Sequence, residues 1–280
     1  MTLLTPATVH ALLAEHGLRP KKSLGQHFLA DPNTARRIVR LAEVVPGDRV
    51  LEIGPGLGSL TFALLEAGAR VLAVEIDARL AAVLEDELRD QPGDARVVVA
   101  DAAAVPIGRL LDDDGPWVCV SNLPYNVAVP VVVRVLEGAP TVARLLVMVQ
   151  REVGERLAAG PGDEQYGAVS VKVAYHAEAD VAGLVPPSVF VPRPKVESVL
   201  VRMVRRAAPP VTVESETVLF DLVRAGFAQR RKMLRRSLQP VLGARAEAVL
   251  GAAGVAPTAR AEALGLHEWA AVAQSASVAA

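Results

Sequence analysis

The sequence predicts an α/β protein with a mostly parallel sheet, followed by a small helical domain. Three observations predict it. Short apolar runs alternate with segments of helical period along the chain up to Met203. A loop with glycine at alternate positions, Gly54-Pro55-Gly56-Leu57-Gly58, joins one such run to a helix. Successive runs end in residues able to hold a ligand: Gly54 and Gly56, then Glu75, Asp101 and Asn122. In an open parallel sheet the carboxyl edge of the strands is where ligands bind. One polar residue there is an ordinary turn; the repetition is what points to a site.

Taken in order, Pro6 to Glu15 reads as a short helix that Gly17 ends. The stretch from Arg19 to Leu29 is basic, then contains glycine, then is apolar. It suits either a surface arm that tucks Phe28 and Leu29 into the core or an arm laid over a ligand and a polyanion. Asp31-Pro32 starts a helix, with a capping carboxylate followed by proline in the first turn. Arg49 to Ile53 is a strand that runs into the glycine loop, where absent side chains let backbone approach a ligand. The spacing Gly-x-Gly-x-Gly departs from the dinucleotide pattern Gly-x-Gly-x-x-Gly. A second strand, Arg70 to Val74, ends at Glu75, placed along the chain where such folds hold ribose hydroxyls. Asp77 precedes a helix with Leu80, Leu84 and Leu88 on one face and reads as its N-cap.

A third strand, Arg96 to Val99, ends at Asp101. A fourth, Trp117 to Val120, runs into Ser121-Asn122-Leu123-Pro124-Tyr125-Asn126. Asn and Pro are common in turns. The tetrad Asn122 to Tyr125 also offers an amide, carbonyls held by a proline and a flat ring, which together can grip a planar base bearing an exocyclic amine. Val129 to Leu136 is read as a helix or buried run, Arg144 to Val149 as a fifth strand, Glu152 to Leu157 and Tyr166 to Tyr175 as helices. Val185 to Ser198, rich in proline, is a stiff extended loop. Phe190 within it is either a core contact that anchors the loop or a second wall for a flat substrate. A strand alternating through Val199, Val201 and Met203 follows. The Pro- and Ala-rich stretch 207–213 marks a boundary, giving domains 1–206 and 207–280. Leu219, Leu222, Val223 and Phe227 form a helical stripe, and the Ala-rich remainder suits short helices, with Ser275 to Ala280 frayed.

With 280 residues, 51% hydrophobic and 22% charged, the chain suits a globular protein with a sizeable core. A net charge of −1 gives no global attraction to nucleic acid. The charge is uneven, however. Asp112-Asp113-Asp114 is acidic, whereas Arg230-Arg231-Lys232, with Arg235 and Arg236, is strongly basic. That run is either a solvated helix face or a contact to an RNA backbone, with Lys22, Arg36 and Arg37 as further candidates. The single cysteine, Cys119, cannot close an intramolecular disulfide and fits a reducing, cytoplasmic compartment. No apolar run is long enough to span a bilayer, and no signal-peptide order opens the chain. Its five histidines are scattered, so no metal is expected.

A glycine loop, an acid for ribose and a further acid, without the Gly-Lys-Ser/Thr of a phosphate loop, fit an adenosine-bearing ligand that lacks phosphate. S-adenosylmethionine is such a ligand. Four segments then carry a family resemblance: Leu24-Gly25-Gln26-His27-Phe28-Leu29, Glu52 to Gly58, Asn122 to Tyr125, and Val189-Phe190-Val191-Pro192-Arg193-Pro194-Lys195-Val196. Together they resemble the small-subunit rRNA adenine N6-dimethyltransferase family of the KsgA type, close kin of the erythromycin-resistance rRNA methyltransferases. The resemblance implies a class I S-adenosylmethionine-dependent methyltransferase fold and transfer of methyl groups to two adjacent adenines near the 3′ end of small-subunit rRNA. It further implies a monomeric, cytoplasmic protein of ribosome biogenesis that acts on the immature small subunit without a metal.

By resemblance, His27 and Leu29 line the cofactor pocket, Gly54 and Gly56 pass beneath the methionine portion, Glu75 binds the ribose, and Asp101 the adenine amine. Asn122 reaches both cofactor and substrate. Leu123 or Pro124 supplies a carbonyl, and Tyr125 and Phe190 stack on the target base. The chain departs from the common family pattern at His27, where Asn is frequent, and at Ser121, where Gly or Ala is frequent. Competing readings are a large-subunit rRNA adenine methyltransferase of the resistance type, a DNA adenine methyltransferase, and a non-catalytic RNA-binding assembly factor.

Overall fold

The computed structural model describes residues 3–21, 24–112 and 115–278. Lys22 and Ser23 of the arm, Asp113 and Asp114 of the acidic run, and Ala279 and Ala280 at the terminus lie outside the described residues. The elements follow the alternation read from the sequence. First come α1 (Pro6–Glu15), β1 (Phe28–Leu29), α2 (Pro32–Leu41), β2 (Arg49–Ile53), α3 (Ser59–Glu66), β3 (Arg70–Glu75) and α4 (Ala78–Leu88). Then come β4 (Asp94–Val99), β5 (Trp117–Asn122), α5 (Ala128–Gly138), β6 (Val142–Gln150), α6 (Arg151–Ala158) and α7 (Ala168–His176). The chain continues through β7 (Ala177–Val185), β8 (Phe190–Val191), β9 (Ser198–Arg205) and α8 (Glu216–Ala228). It closes with α9 (Leu234–Ser237), α10 (Gln239–Leu242), α11 (Ala246–Ala252) and α12 (Leu266–Val278).

Local chemistry sets the helix starts. Asp31 caps α2, its Oδ1 accepting from Thr34 N at 2.6 Å, with Pro32 in the first turn. Asp77 caps α4 through Arg79 N at 3.2 Å. Each such cap is worth about 1 kcal/mol.

Seven strands form one sheet in the order β4-β3-β2-β5-β6-β9-β7. The pairs β4–β3, β3–β2, β2–β5 and β5–β6 are parallel, and β9 runs antiparallel to β6. Val118, Val120, Leu146 and Met148 belong to the cluster that includes α2 and α3 residues. Their neighbours Trp117, Cys119, Leu145 and Val147 are equally buried. Side chains alternate along a strand, so both faces of the central sheet are covered, which explains its continuous Val/Leu runs. Among the described residues no helix is long and apolar enough to cross a membrane.

The strand β7 has no counterpart in the sequence reading. Its residues are buried mainly at the two ends and exposed or half-exposed between, so the two-residue period that marks a half-buried strand is missing. At the carboxyl end α12 continues through Val278 with Ala276 buried, so the expected fraying from Ser275 gives way to helix.

The chain separates into two compact units, Met1–Gly154 with Ala179–Arg205, and Glu155–Glu178 with Arg206–Ala280. The boundary drawn from composition leaves 155–178 in the first domain, whereas these compact units group that segment with 206–280. The physical reason is burial: Tyr166, Val171 and Tyr175 share a cluster with Leu219, Leu222 and Val223 of α8. The Tyr166 hydroxyl donates to Leu264 O at 2.9 Å.

Candidate active site

The strand order reverses direction at β2, whose neighbours are β3 on one side and β5 on the other. A crevice opens at the carboxyl ends of strands at such a point. Here the opening is visible in the ladder. Pairing of β2 with β3 continues to Ile53, but pairing with β5 stops at Leu51↔Cys119. The Ile53 N–H, freed from the ladder, donates instead to Ser121 Oγ at 2.9 Å. The Ser121 hydroxyl therefore stands in for a missing backbone acceptor where the two strands part.

The cleft above this fork encloses about 1040 Å³ including its open mouth. Its lining gathers the arm from Leu24 to Leu29, the glycine loop, Glu75, Asp101 and the tetrad from Asn122 to Tyr125. The glycines are there for backbone reasons. Gly56 has φ +60°, and a Cβ on it would stand 3.0 Å from the Phe28 ring. Gly25 has φ +62° and presses the arm onto the tetrad, where a Cβ would lie 3.1 Å from Asn126 Oδ1. An L-residue is strained in this region of φ.

Glu75 is fixed from both sides. Its Oε2 accepts from Gly56 N at 3.1 Å and its Oε1 from Asp77 N at 2.9 Å. Burial raises its pKa above the ordinary carboxylate value, and the backbone N–H groups pull it back. Asp101 is exposed at the rim, its Oδ1 accepting from Ala103 N at 2.8 Å. Asp77 lies just outside. Burial would raise its pKa, but Lys21 Nζ at 2.6 Å and the Arg79 N–H leave it below the ordinary value.

Asn122 sits at the end of β5, and its Nδ2 donates to His27 O at 3.2 Å. That bond commits the amide NH2 to the arm and leaves Oδ1 as the group available to accept. Tyr125 stacks on His27, with ring centroids 5.5 Å apart and planes inclined by 28°. Its hydroxyl bonds Ser198 Oγ at 2.9 Å. Burial raises the phenol pKa, partly offset by that bond, so the ring is neutral at ordinary pH. Pro124 O already accepts from Val127 N at 3.1 Å, whereas Leu123 O receives no backbone N–H among the described residues.

Phe190 sits in β8. It is 3% exposed, pairs with Leu29 across β8 and β1, and belongs to the core cluster rather than to the cleft lining. The contact it makes here is the loop-anchoring one, with β8 paired to the arm. Arg230, Arg231 and Lys232 are not on a helix face but in the turn after α8. Arg230 bonds Glu164 O at 2.9 Å and approaches Glu262 at 3.6 Å, a structural use within its own unit. Arg231 and Lys232 are exposed; the Lys232 N–H bonds Gln229 O at 2.8 Å, and neither side chain has an ion pair among the described residues. Arg36 and Arg37 are likewise engaged, with Glu66 and with Leu184 O.

Two cleft residues escaped the sequence reading. Glu52 is 1% exposed, its Oε2 accepting from the Thr61 hydroxyl at 2.6 Å, and burial pushes its pKa up to about 8. Its signal was an acid inside a strand otherwise buried on both faces. Ile76 lines the cleft while 49% exposed, an apolar face offered beside Glu75. An apolar side chain directly after a strand-terminal acid could have flagged it.

Comparison with known proteins accords with this geometry. The family model described as ribosomal RNA adenine dimethylase matches residues 17–277. Ribosomal RNA small subunit methyltransferase A of Thermobifida fusca (strain YX) is 52% identical over 278 residues, covering 97% of this chain and 96% of that protein. The protein of the same name from Streptomyces coelicolor is 51% identical over 276 residues, covering 97% and 96%. Among solved structures, the 23S rRNA methyltransferase ErmE superposes with TM-score 0.66 at 29% identity, covering 89% of this chain and 99% of that one. A dimethyladenosine transferase from Plasmodium falciparum gives 0.71 at 23% identity, covering 88% and 96%, a likeness of fold. The chain belongs to the ribosomal RNA adenine dimethylase family.

Proposed function

We propose that this protein transfers methyl groups from S-adenosylmethionine to the N6 amines of two adjacent adenines near the 3′ end of small-subunit rRNA. It would act as a monomer on an immature small subunit in the cytoplasm. The observation that carries the reading is the Asn122 amide, tied by its NH2 to the arm so that its oxygen is the acceptor left for a substrate N–H.

The donor fits the cleft by charge. Glu75 and Asp101 line it beside Glu52, whose burial favours the neutral form, and among the described residues no Lys or Arg does. Such a lining suits a phosphate-free cation and disfavours a nucleotide phosphate. When bound, S-adenosylmethionine supplies a methyl group on a positively charged sulfur. Glu75 and Asp101 are the residues placed to hold ribose and adenine, with Ile76 offering an apolar surface to the ring.

Adenine N6 is a weak nucleophile because its lone pair is drawn into the ring. Asn122 Oδ1 and the Leu123 carbonyl can each accept one N6–H, which favours a pyramidal nitrogen with its lone pair directed at the methyl group. Leu123 is the better of the two carbonyls because Pro124 O is already engaged with Val127 N. The nitrogen forms its new N–C bond as the S–C bond breaks, and then loses a proton to water. No strong base is required, and positioning supplies the acceleration, up to roughly 7–11 kcal/mol in principle. Tyr125 gives the extruded base a stacking surface worth about 1–3 kcal/mol. The monomethylated product keeps one N–H, so a second transfer follows the same path. Arg231, Lys232 and Arg236 are the cations of the basic run left for an RNA backbone.

The greater identity to the small-subunit enzymes than to ErmE favours this target over large-subunit rRNA. Mass spectrometry of rRNA nucleosides from cells with and without the protein is the test. Dimethyladenosine in small-subunit rRNA is expected only when the protein is present; its persistence without the protein overturns the reading.

A further inference from the structure

His27 occupies an unusual place. Its backbone carbonyl receives the Asn122 amide at 3.2 Å, while its side chain turns to different work. The imidazole Nδ1 lies 2.7 Å from Pro192 O. A carbonyl oxygen can only accept, so Nδ1 carries the hydrogen and donates. The ring held in this way lies against Tyr125, within the centroid range of offset stacks. The Tyr125 hydroxyl is tied to Ser198 at the far end of the same loop. The segment 192–198 is thus hydrogen-bonded at one end to His27 and at the other to Tyr125, with prolines at 192 and 194 stiffening it.

We propose that the His27 imidazole is a positioning residue for the target base: it covers one face of Tyr125, fixes the tilt of that ring, and leaves the other face to the incoming adenine. This rests on the adenine-methylating reading of the site. Cofactor contact, on this assignment, belongs to the backbone at position 27 and not to the imidazole. The side chain is a fixed wall that a flipped base does not displace, because the bond to Pro192 O anchors it independently of Tyr125.

Two substitutions separate stacking from hydrogen bonding. His27→Asn keeps an N–H for Pro192 O but loses the stack. His27→Phe keeps a stacking ring but loses the donor. We expect His27→Asn to lower kcat/KM for an rRNA hairpin by about tenfold, with S-adenosylmethionine affinity measured by calorimetry within twofold of wild type. His27→Phe is expected to recover most of that loss. Cofactor affinity falling in step with kcat/KM in both variants overturns the assignment, as does full activity in His27→Asn.

A readout without turnover accompanies these. The His27 Cε1–H resonance should be shifted by the Tyr125 ring current, move to an ordinary position in Tyr125→Leu, and keep its shift when the hairpin binds. Loss of the shift on RNA binding would mean that the base takes the place of His27, and the proposal fails. Absence of methylation by the wild-type protein defeats the functional reading instead, and the resonance still judges the His27–Tyr125 pair.

Discussion

The two walls of the cleft are built in different ways. The wall bearing Gly54, Gly56 and Glu75 is local: Gly56 N and Asp77 N both close onto one carboxylate, and β2 and β3 run in register beneath it. The facing wall joins distant parts of the chain: Asn122 to His27, His27 to Pro192, Tyr125 to Ser198. The first takes its precision from the sheet. The second takes it from an arm and a proline loop that pair through β1 and β8 and have little sheet of their own. On the proposed function the sheet-anchored wall holds the cofactor and the loop-built wall the base, which suits admission of a bulky RNA against a preformed small-molecule site.

Breaking the far wall at its centre has the largest expected effect. Asn122→Ala should reduce kcat by roughly 10²–10³-fold, in the range seen for removal of one preorganised polar contact. Cofactor affinity should fall much less. Radiolabelled methyl transfer beside equilibrium dialysis checks both, and normal turnover removes Asn122 from the mechanism.

Beneath the near wall, Glu52 should reveal itself through pH. Its folded-state pKa is raised to about 8 from an ordinary 4.5, so the native protein holds a proton that the unfolded chain releases. Stability must then fall as pH rises from about 4.5 to about 8, and the penalty is complete above that window. Glu52→Gln keeps an acceptor for Thr61 and has no such penalty. Urea unfolding of the ligand-free proteins should give nearly equal stabilities near pH 4 and an advantage of a few kcal/mol to the variant above pH 8. A pH-independent difference rejects the buried, protonated carboxyl.

Gly56→Ala probes the near wall by strain. An alanine at φ +60° costs about 1–2 kcal/mol, and the Phe28 ring 3.0 Å away must shift. Cofactor affinity should drop about tenfold while RNA affinity is kept; calorimetry and filter binding distinguish the two. The mildest test is Ser198→Ala, which removes the tether on the Tyr125 hydroxyl, a bond worth about 1 kcal/mol. A rise of a few-fold in KM for RNA, with cofactor affinity unchanged, is expected. Equal effects on both ligands would mean that the two walls are not independent.

The same contrast explains what could be read from the sequence. The near wall was legible because strand, glycine turn and terminal acid follow one another, and each obeys a short-range rule. So were the caps Asp31 and Asp77. The tetrad was legible as residues but not as geometry. Nothing in the sequence tells that Asn122 spends its NH2 on His27 O, since that bond spans 95 positions. Phe190 kept two readings for a related reason: an aromatic in a polar loop has no periodicity to say which way it turns, and the β1–β8 pairing is not visible in the sequence. Ser121 stood out only as a departure from the frequent Gly or Ala, yet its hydroxyl serves the Ile53 N–H where two strands diverge. The edge strand β7 was invisible because its exposure follows no simple period.

The chain crosses three times between its compact units, after Gly154, Glu178 and Arg205, with a practical result for anyone wishing to dissect the protein. Ending the polypeptide at Arg205 would strip Tyr166, Val171 and Tyr175 of the α8 residues they bury against, and a sticky remnant would hang from an otherwise finished sheet. A clean minimal enzyme calls for excision rather than truncation: the segment between Gly154 and Ala179 replaced by a short bridge, and everything past Arg205 removed. A tail exchanged by design meets the same seams, so it must bring its matching internal helix with it.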